Sequence, residues 1–207
     1  MPTLTMQGEG RATTTRAGRR DPAAVARVAR EAARGDERAW NTLVDEFAGL
    51  VWAVVRAHRL SDADGADVVQ ATWLALVEHL DGLRDVERVG AWLATTARRE
   101  CLRVLRMSRR QVPTADDFPE GPSESVEIAA DLMLEQRDAA LWRAFDRLPA
   151  RDQALLRLLV TDPQPSYQEI SAALDMPIGS IGPTRARSLE RLRVELARDG
   201  VVTTPEC

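Results

Sequence analysis

Apolar residues recur at intervals of three and four along most of the chain, a spacing that puts them on one face of an α-helix. Between Asp36 and Arg59 they are Trp40, Leu43, Val44, Phe47, Val51, Val54 and Val55. The spacing returns in Ala66, Val69, Trp73, Leu76, Val77 and Leu80, and again in Val89, Trp92, Leu93, Thr96, Ala97, Val104 and Leu105. Three such stripes predict a helical bundle.

Each of these predicted helices has a plausible N-terminal cap. Asp36 precedes the first helix, Ser61 precedes the second with Asp64 three residues on, and a turn around Asp81 and Gly82 precedes the third. Side-chain oxygens at such positions accept hydrogen bonds from the N–H groups of a first helical turn. We therefore expect helix starts at these three places.

The segment 111–125 breaks the helical pattern. It contains Pro113, Pro119, Gly121 and Pro122 among acids and serines, and its apolar residues show no periodicity. Such a composition is typical of an extended linker. The segment is predicted to separate two domains.

Helical spacing resumes after the linker. Ile128, Leu132, Leu141, Trp142, Phe145 and Leu148 form a stripe that ends before Pro149, and a short leucine-rich helix then stops before Asp162 and Pro163. The chain has no long alternating run of β-branched residues that would indicate a sheet. The predicted fold class is all-α, with two small helical domains joined by an acidic linker.

The C-terminal part carries a helix-turn-helix pattern. Ser166 and Glu169 have the spacing of a capping box, so Tyr167 to Leu174 is predicted to be a short helix. The segment 175–179 cannot continue it, because it contains a proline and a glycine. Ser180 is predicted to cap a second helix that runs to about residue 198. Its inner stripe would be Ile181, Leu189, Leu192 and Leu196, and its outer face Arg185, Arg187, Arg191 and Arg193. Such a helix suits a DNA major groove.

The charge distribution supports a nucleic-acid partner more than the net charge does. The 207-residue chain has a formal net charge of −4. Residues 84–110 nevertheless contain eight arginines against three acids, whereas residues 111–138 contain eight acids against one arginine. An acidic linker therefore masks a basic face in the total.

Composition excludes several other classes. Hydrophobic residues make up 44% of the chain, and no apolar run approaches the roughly 18 residues of a membrane span. The segment 1–20 lacks the apolar core of a secretion signal, and we expect a disordered tail on a cytoplasmic protein. Cys101 and Cys207 are too few and too far apart to indicate a disulfide framework or a metal site.

Three stretches resemble one protein family. Residues 166–193, from Ser-Tyr-Gln-Glu-Ile through Met-Pro-Ile-Gly-Ser-Ile to Leu-Arg, resemble the C-terminal domain of extracytoplasmic-function (ECF) RNA polymerase sigma factors, a group of the sigma-70 superfamily. Residues 64–73, Asp-Gly-Ala-Asp-Val-Val-Gln-Ala-Thr-Trp, look like the polymerase-binding helix of the family. Residues 90–99, from Gly-Ala-Trp-Leu to Ala-Arg-Arg, look like its promoter-opening helix.

The resemblance implies a division of labour. Residues 21–110 would form a region 2-like domain that binds the clamp coiled coil of core RNA polymerase and captures the minus-ten promoter element as single-stranded DNA. Residues 126–199 would form a region 4-like domain that reads the minus-thirty-five element and meets the polymerase flap. Residues 200–207 would be a tail. Many relatives are held by an anti-sigma protein, a further expected partner.

The resemblance also implies site residues. Asp64, Asp67 and Gln70 would bind core polymerase, although capping and solvation explain such residues equally well. The minus-ten DNA would be bound by Arg88, Arg98, Arg99, Arg103 and Arg106. The minus-thirty-five DNA would be bound by Ser180, Thr184, Arg185, Arg187, Ser188 and Arg191. The loop 81–88 would hold a flipped base, but it has no aromatic residue or Asn, so the preferred base is not predicted.

Some residues qualify this interpretation. Family members often carry polar or basic residues where this chain has Gly182 and Pro183, so base reading shifts to later residues or to DNA shape. Trp40, Trp52, Trp73 and Trp92 lie on apolar stripes and are expected in the core rather than stacked on bases. His58 and His79 are expected to be structural or exposed. The acidic linker would thread a polymerase channel or serve as a solvated spacer.

Two other functions remain open. A stand-alone transcription regulator would use the same helix-turn-helix without polymerase. An enzyme would need Asp62, Asp64 and Asp67 as ligands of a hard metal ion such as magnesium, but no phosphate loop or nucleophile accompanies them. We expect no catalytic residue, no metal and no cofactor.

Overall fold

The computed structural model describes residues 20–111 and 132–200, and every regular element in these two ranges is helical. The α-helices are α1 (Pro22–Ala33), α2 (Glu37–Ala57), α3 (Asp62–His79), α4 (Val89–Gln111), α5 (Leu132–Asp146), α6 (Ala150–Leu159), α7 (Tyr167–Leu174) and α8 (Ile178–Arg198). The predicted all-α class is confirmed. Most of the predicted linker and of both predicted tails lies outside the described residues.

Helix α1 was not predicted. Asp21 caps it by accepting a hydrogen bond from the Ala23 N–H at 3.1 Å, and Pro22 occupies the first helical position, where its missing donor costs nothing. Its buried face is Val25, Ala26, Ala29 and Ala32. Three of these four residues are alanines, so the apolar periodicity was too weak to stand out, although the Asp-Pro start was a usable signal.

Helices α2 and α3 begin at the predicted caps. The Asp36 carboxylate accepts hydrogen bonds from the N–H groups of Arg38 and Ala39, at 2.8 and 3.1 Å. The Ser61 hydroxyl accepts one from Asp64 N–H at 3.2 Å and donates one to the Asp64 carboxylate at 2.8 Å. Both helix starts are therefore fixed by local sequence, as the spacing indicated.

The buried line of α3 differs from the predicted stripe. Gly65, Val68, Thr72 and Leu76 are buried, whereas Ala66 and Val77 are exposed. A side chain at Gly65 would lie 3.1 Å from Val55 Cγ1, so α3 approaches α2 closely at this glycine. Three of the four buried positions thus lie one residue before members of the predicted stripe, and the glycine among them is at the closest approach to α2.

Both halves of the described chain contribute to one apolar core. Phe47 and Leu50 of α2 and Leu93 of α4 belong to the same buried cluster as Leu155 of α6 and Ile170 of α7. Helices α6 and α7 therefore pack directly against α2 and α4. The predicted domain limits remain a prediction, because a shared core is compatible with one unit or with two docked units.

Helix α5 buries less of its apolar stripe than predicted. Phe145 and Leu148 are buried in a small cluster with Leu156, but Leu141 and Trp142 are 39% and 59% exposed. Ala140 and Ala144 take the inner positions instead. As in α1, small side chains that carry little hydrophobic signal occupy the closest helix contacts.

Candidate nucleic-acid interface

One face of α3 is exposed and combines polar with apolar side chains. Asp67, Gln70, Leu74 and Val77 follow the three-and-four spacing of a single helix face. Leu74 and Val77 are 58% and 59% exposed. Of the three predicted polymerase-binding residues, Asp67 and Gln70 lie on this face, whereas Asp64 is half-buried and bonded to Ser61. The apolar part of the face was missed, because Val77 was assigned to the core.

The arginines of α4 divide into two groups. Arg99, Arg103 and Arg106 are exposed at intervals of four and three, so they share one face. Arg98 turns toward the C-terminal half, and its Nη2 lies 2.8 Å from the Asp175 carboxylate. Arg88 lies before α4 and pairs with Asp85 at 2.9 Å. The structure thus brings together three of the five residues predicted to bind minus-ten DNA.

A cavity of about 370 Å³ lies between the 80–88 loop and the C-terminal end of α1. The loop contains two short 3₁₀ turns, Leu80–Gly82 and Val86–Arg88. The cavity is lined by three arginines, one acid and four apolar residues: Arg30, Arg34, Arg84, Asp81, Ala33, Leu80, Leu83 and Val86. Within the described side chains, none of the three arginines forms an ion pair. The α1 arginines were missed because α1 itself was not predicted.

The helix-turn-helix forms largely as predicted. The capping box is complete, with Ser166 N–H donating to the Glu169 carboxylate at 2.6 Å and Glu169 N–H donating to the Ser166 hydroxyl at 3.3 Å. Asp175 ends α7 with a φ of 51°, in the left-handed region. The predicted Ser180 cap is wrong, because α8 begins two residues earlier, at Ile178, and the Ser180 hydroxyl donates to the Pro177 carbonyl at 2.7 Å.

The earlier start of α8 also moves Pro183 out of the first turn. Pro183 is the sixth residue of the helix, where its missing N–H leaves the Gly179 carbonyl without its helical partner. Within the described chain, a side chain at either Gly179 or Gly182 would have no heavy atom within 4 Å. The backbone at the start of α8 is therefore uncovered at Gly179 and Gly182.

The inner face of α8 differs from the predicted stripe. Ser188 is fully buried, and its hydroxyl donates to the Thr184 carbonyl at 2.9 Å, whereas Leu189 is 44% exposed. The assignment of Ser188 to DNA contact and of Leu189 to the core is therefore wrong. Ser188 is small enough to fit where α8 packs closely against neighbouring helices. Its burial depends on those helices and not on the local sequence. Arg185 and Arg187 are exposed as predicted, and Arg187 donates to the Thr184 hydroxyl at 3.3 Å.

Arg191 is engaged within the C-terminal half. Its guanidinium donates to the carboxylate of Asp152 on α6, and the Asp152 side chain is 6% exposed. A buried carboxylate needs such a partner, because desolvation of an unpaired charge is costly. The structure thus gives Arg191 a role in holding α8 to α6, which the sequence did not reveal.

Other titratable and aromatic groups are built into the core. Burial raises the pKa of the Cys101 thiol to about 12. Burial also lowers the pKa of His58, whose Nδ1 lies 2.8 Å from the Val54 carbonyl. Trp40, Trp73 and Trp92 pack against the main core as expected, but Trp52 is 36% exposed and the expectation for it is wrong.

Within the described residues, no group of three His, Cys, Asp or Glu side chains is arranged to bind a metal ion. None of the described helices has the length and the apolar composition that crossing a membrane requires.

Comparison with known proteins identifies the relatives of this chain. Residues 43–111 match the family Sigma-70 region 2. The chain is 29% identical over 187 residues to the ECF RNA polymerase sigma factor RpoE of Cereibacter sphaeroides, which covers 89% of this chain and 99% of the relative. It is 27% identical over 157 residues to the ECF RNA polymerase sigma-E factor of Escherichia coli, covering 72% and 81%.

Two solved structures share the fold. CnrH in complex with the cytosolic domain of CnrY superposes with a TM-score of 0.57 at 19% identity, covering 85% of this chain and 99% of that one. The sigma factor RpoE of Bartonella quintana in complex with the anti-sigma factor NepR gives 0.54 at 23% identity, covering 77% and 98%. At these identities the likeness establishes the fold alone.

The region 2 match and the curated relatives together show that this chain is similar, over most of its length, to the ECF sigma factors of the sigma-70 superfamily.

Proposed function

We propose that this chain binds core RNA polymerase and directs transcription initiation at specific promoters. The observation that carries the proposal is the presence of two exposed arginine faces, on α4 and on α8, in a chain similar to the ECF sigma factors. A stand-alone regulator needs only the second face. A sigma subunit needs both, because it contacts two promoter elements.

The exposed face of α3 is the proposed polymerase contact. Asp67 can pair with arginines of a partner, and Leu74 and Val77 supply the apolar area that a stable interface buries. In the isolated chain, these two large apolar side chains are more than half exposed. The face therefore has the mixed chemistry of a protein interface rather than of a solvated helix.

The exposed face of α4 and the neighbouring cavity are the proposed minus-ten site. Arg99, Arg103 and Arg106 would neutralise phosphates of the opened strand. The cavity has room for one nucleotide, with apolar atoms on which a base can lie and with Arg30 and Arg84 for the adjacent phosphate. Residues 81–88 contain no aromatic residue and no Asn, so no preferred base is proposed.

The exposed face of α8 is the proposed minus-thirty-five site. Thr184, Arg185 and Arg187 can reach base edges or phosphates in a major groove. Ser180 lies in the first turn of α8, where helix N-termini commonly meet backbone phosphates. The bare backbone at Gly179 and Gly182 allows a close approach to the duplex, so reading of DNA shape contributes to recognition.

The two halves of the chain would have separate roles. Residues 21–110 and 126–199 would act as the region 2-like and region 4-like units, joined by the linker 111–125. An anti-sigma protein is a proposed partner, because the RpoE relative is bound to the anti-sigma factor NepR and CnrH is bound to the cytosolic domain of CnrY. The proposed role is non-enzymatic and cytoplasmic, since transcription factors act where the chromosome is.

Transcription by purified core polymerase tests the proposal. Core polymerase with this chain should give discrete transcript starts on genomic DNA, and sequencing the 5′ ends would reveal both promoter elements. A Leu74→Asp variant should lose core binding, whereas Leu189→Asp, at another leucine that is partly exposed (44%) but lies on α8, should retain it. If the wild-type chain never binds core but still shifts duplex DNA, the stand-alone regulator is the better description.

A further inference from the structure

The C-terminal part of α2 carries an exposed face that combines a tryptophan with two arginines. Trp52, Arg56 and Arg59 follow the three-and-four spacing of a single helix face, and all three side chains are exposed. The Arg56 guanidinium lies 5.8 Å from the ring centre of Trp52. This face therefore offers a flat apolar area and positive charge side by side.

Helix α6 lies along this face and adds a third arginine. The two helices are antiparallel, because a Cβ atom at Gly49 would lie 3.3 Å from the Asp162 carbonyl, whereas Arg59 Nη2 donates to Gln153 Oε1 at 2.9 Å. Arg157 of α6 falls between these two contacts. It therefore lies beside the arginines of α2.

Helix α5 extends the surface further. The Arg157 guanidinium lies 4.9 Å from the ring centre of Phe145, and the Trp142 ring centre lies 5.9 Å from that of Phe145. Trp142 is the more exposed of these two aromatic side chains. The whole area is called the arginine-tryptophan surface below, and it comprises Trp52, Arg56, Arg59, Arg157, Phe145 and Trp142.

The positive charge of this surface is not neutralised by ion pairs. Within the described side chains, none of its three arginines forms one. Burial, followed by the nearby charges of Arg59 and Arg56, lowers the pKa of Arg157, against the opposite effect of Asp146. Positive charges that repel one another at close range favour the binding of a polyanion.

The chain itself contains a segment of complementary composition, residues 112–131. This segment has six acids and no arginine or lysine, and its one aromatic residue is Phe118. It lies outside the described residues. Its two ends are nevertheless fixed, because α4 leads into it and α5 leads out of it.

Both ends lie close enough for the segment to reach the surface. Cys101 of α4 packs against Val55, next to Arg56, and α4 ends ten residues later, or about 15 Å further on at roughly 1.5 Å per residue. Helix α5 begins 13 residues before Phe145, or about 20 Å away. Twenty residues can span about 65 Å when extended. The middle of the segment can therefore reach the arginines from both sides.

We propose that the acidic segment 112–131 docks on the arginine-tryptophan surface of the same chain. Its acids neutralise the three arginines, and Phe118 covers apolar area of the exposed tryptophans. Each exposed ion pair is weak, but attachment at both ends gives the segment an effective concentration on the order of millimolar. The contact needs no polymerase, so it can be tested with the chain alone and independently of the proposed function.

Photo-crosslinking in the full chain reports the contact directly. With p-benzoylphenylalanine in place of Phe118, irradiation at low salt should link position 118 to peptides that contain Trp52 or Trp142, as read by mass spectrometry of the monomer. The yield should fall at least about threefold at roughly 0.5 M salt, where exposed charges are screened. It should fall likewise in a neutralised segment that carries Asp116→Asn, Asp117→Asn, Glu120→Gln and Glu124→Gln, which leaves the described helices unchanged.

Arg56→Glu tests the other side of the contact. It should lower the yield as strongly as the neutralised segment does, whereas Arg38→Glu, at an exposed arginine near the opposite end of α2, should leave the yield unchanged. Circular dichroism checks that both variants are folded. Crosslinks that lie elsewhere, or that persist in both Arg56→Glu and the neutralised segment, would overturn the proposal.

Other occupants of the surface give different results. Crosslinks found only between two chains would assign the surface to a second copy. Labelled single-stranded DNA that binds wild type but not Arg56→Glu, while position 118 forms no crosslink to the surface, would assign it to nucleic acid. Either result would overturn the proposed docking and leave the proposed sigma function to its own test.

Discussion

Helices α4 and α8 have similar lengths, 23 and 21 residues, and each carries a glycine as its second residue. Gly90 of α4 is enclosed by Glu169 and Phe47, whereas Gly179 of α8 faces open space. Arg98 of α4 is turned into an internal contact, but Arg185 and Arg187 of α8 remain exposed. A glycine at the same helix position therefore has different surroundings in the two helices, and the position of a helix in the fold decides which of its arginines remain exposed.

The largest expected difference between the two helices concerns stability. Leu93 of α4 is fully buried, whereas Leu189 of α8 is 44% exposed. Leu93→Ala should lower the free energy of unfolding by about 2 to 5 kcal/mol, because it removes buried apolar atoms and leaves a cavity. Leu189→Ala should cost less than about 1 kcal/mol. Urea denaturation followed by circular dichroism measures both, and equal losses would contradict the burial described for α8.

The next largest difference is between Arg187 and Arg191 of α8, and Arg187 should act mainly on DNA binding. Arg187→Ala should weaken binding to a cognate minus-thirty-five duplex by about 1 to 3 kcal/mol if it contacts a base. Fluorescence anisotropy on cognate and mutated duplexes measures this loss, with Arg38→Ala on the exposed surface of α2 as a control. A loss that is the same on every sequence would assign Arg187 to phosphates rather than to bases.

Arg191→Ala should act mainly on stability. It leaves the Asp152 carboxylate buried without its partner, at a cost of about 1 to 2 kcal/mol in unfolding free energy. Chemical denaturation in parallel with DNA binding separates the two roles. Unchanged stability together with weakened DNA binding would return Arg191 to the interface, where the sequence had placed it.

The role of the exposed arginines of α4 should appear in the salt dependence of DNA binding. Arg99→Ala should lower affinity for single-stranded promoter DNA evenly across sequences and reduce the slope of log K against log salt by about 1, as expected for one lost phosphate contact. Titrations of the assembled holoenzyme at several salt concentrations measure the slope. A sequence-dependent loss with an unchanged slope would indicate base contact instead.

The smallest expected effect concerns pH. Burial holds the pKa of His58 below its unfolded value, so the unfolded chain binds more protons between those two values. Stability should therefore fall as the pH drops below about 6.5, the ordinary pKa of histidine. His58→Gln should flatten this part of the profile. A profile of unfolding free energy from pH 5 to 8 provides the test, and identical slopes would show that other groups dominate.

Local sequence was enough to predict most of the helices and the helix-turn-helix. The caps at Asp36, Ser61 and Ser166 are formed by residues within three positions of each other, and periodicity marks any face covered by large apolar side chains. Periodicity failed to predict the buried face of a helix where small residues take the inner positions. The alanines of α1 and Ser188 of α8 are buried because the helices approach closely there, which depends on what lies opposite.

The contact between the halves could not be predicted from local sequence at all. Arg20 and Glu169 are 149 positions apart, and Glu169 was interpreted only as the last residue of a capping box. Gly90 lies in the stretch that resembles the promoter-opening helix of the family, and its sequence neighbours give no structural reason for a glycine. Since no local pattern records which helix lies opposite another, the distinction between exposed and engaged arginines needed the three-dimensional structure.

Glu169 has two structural roles at once, which has an evolutionary consequence. Its carboxylate completes the cap of α7 and also pairs with Arg20 across the interface. A glutamine at this position would keep the cap, since Gln serves in a capping box as well as Glu, but it would lose the charge. A descendant lineage is therefore one substitution away from keeping the cap of α7 while altering how firmly this helix is held against the N-terminal half.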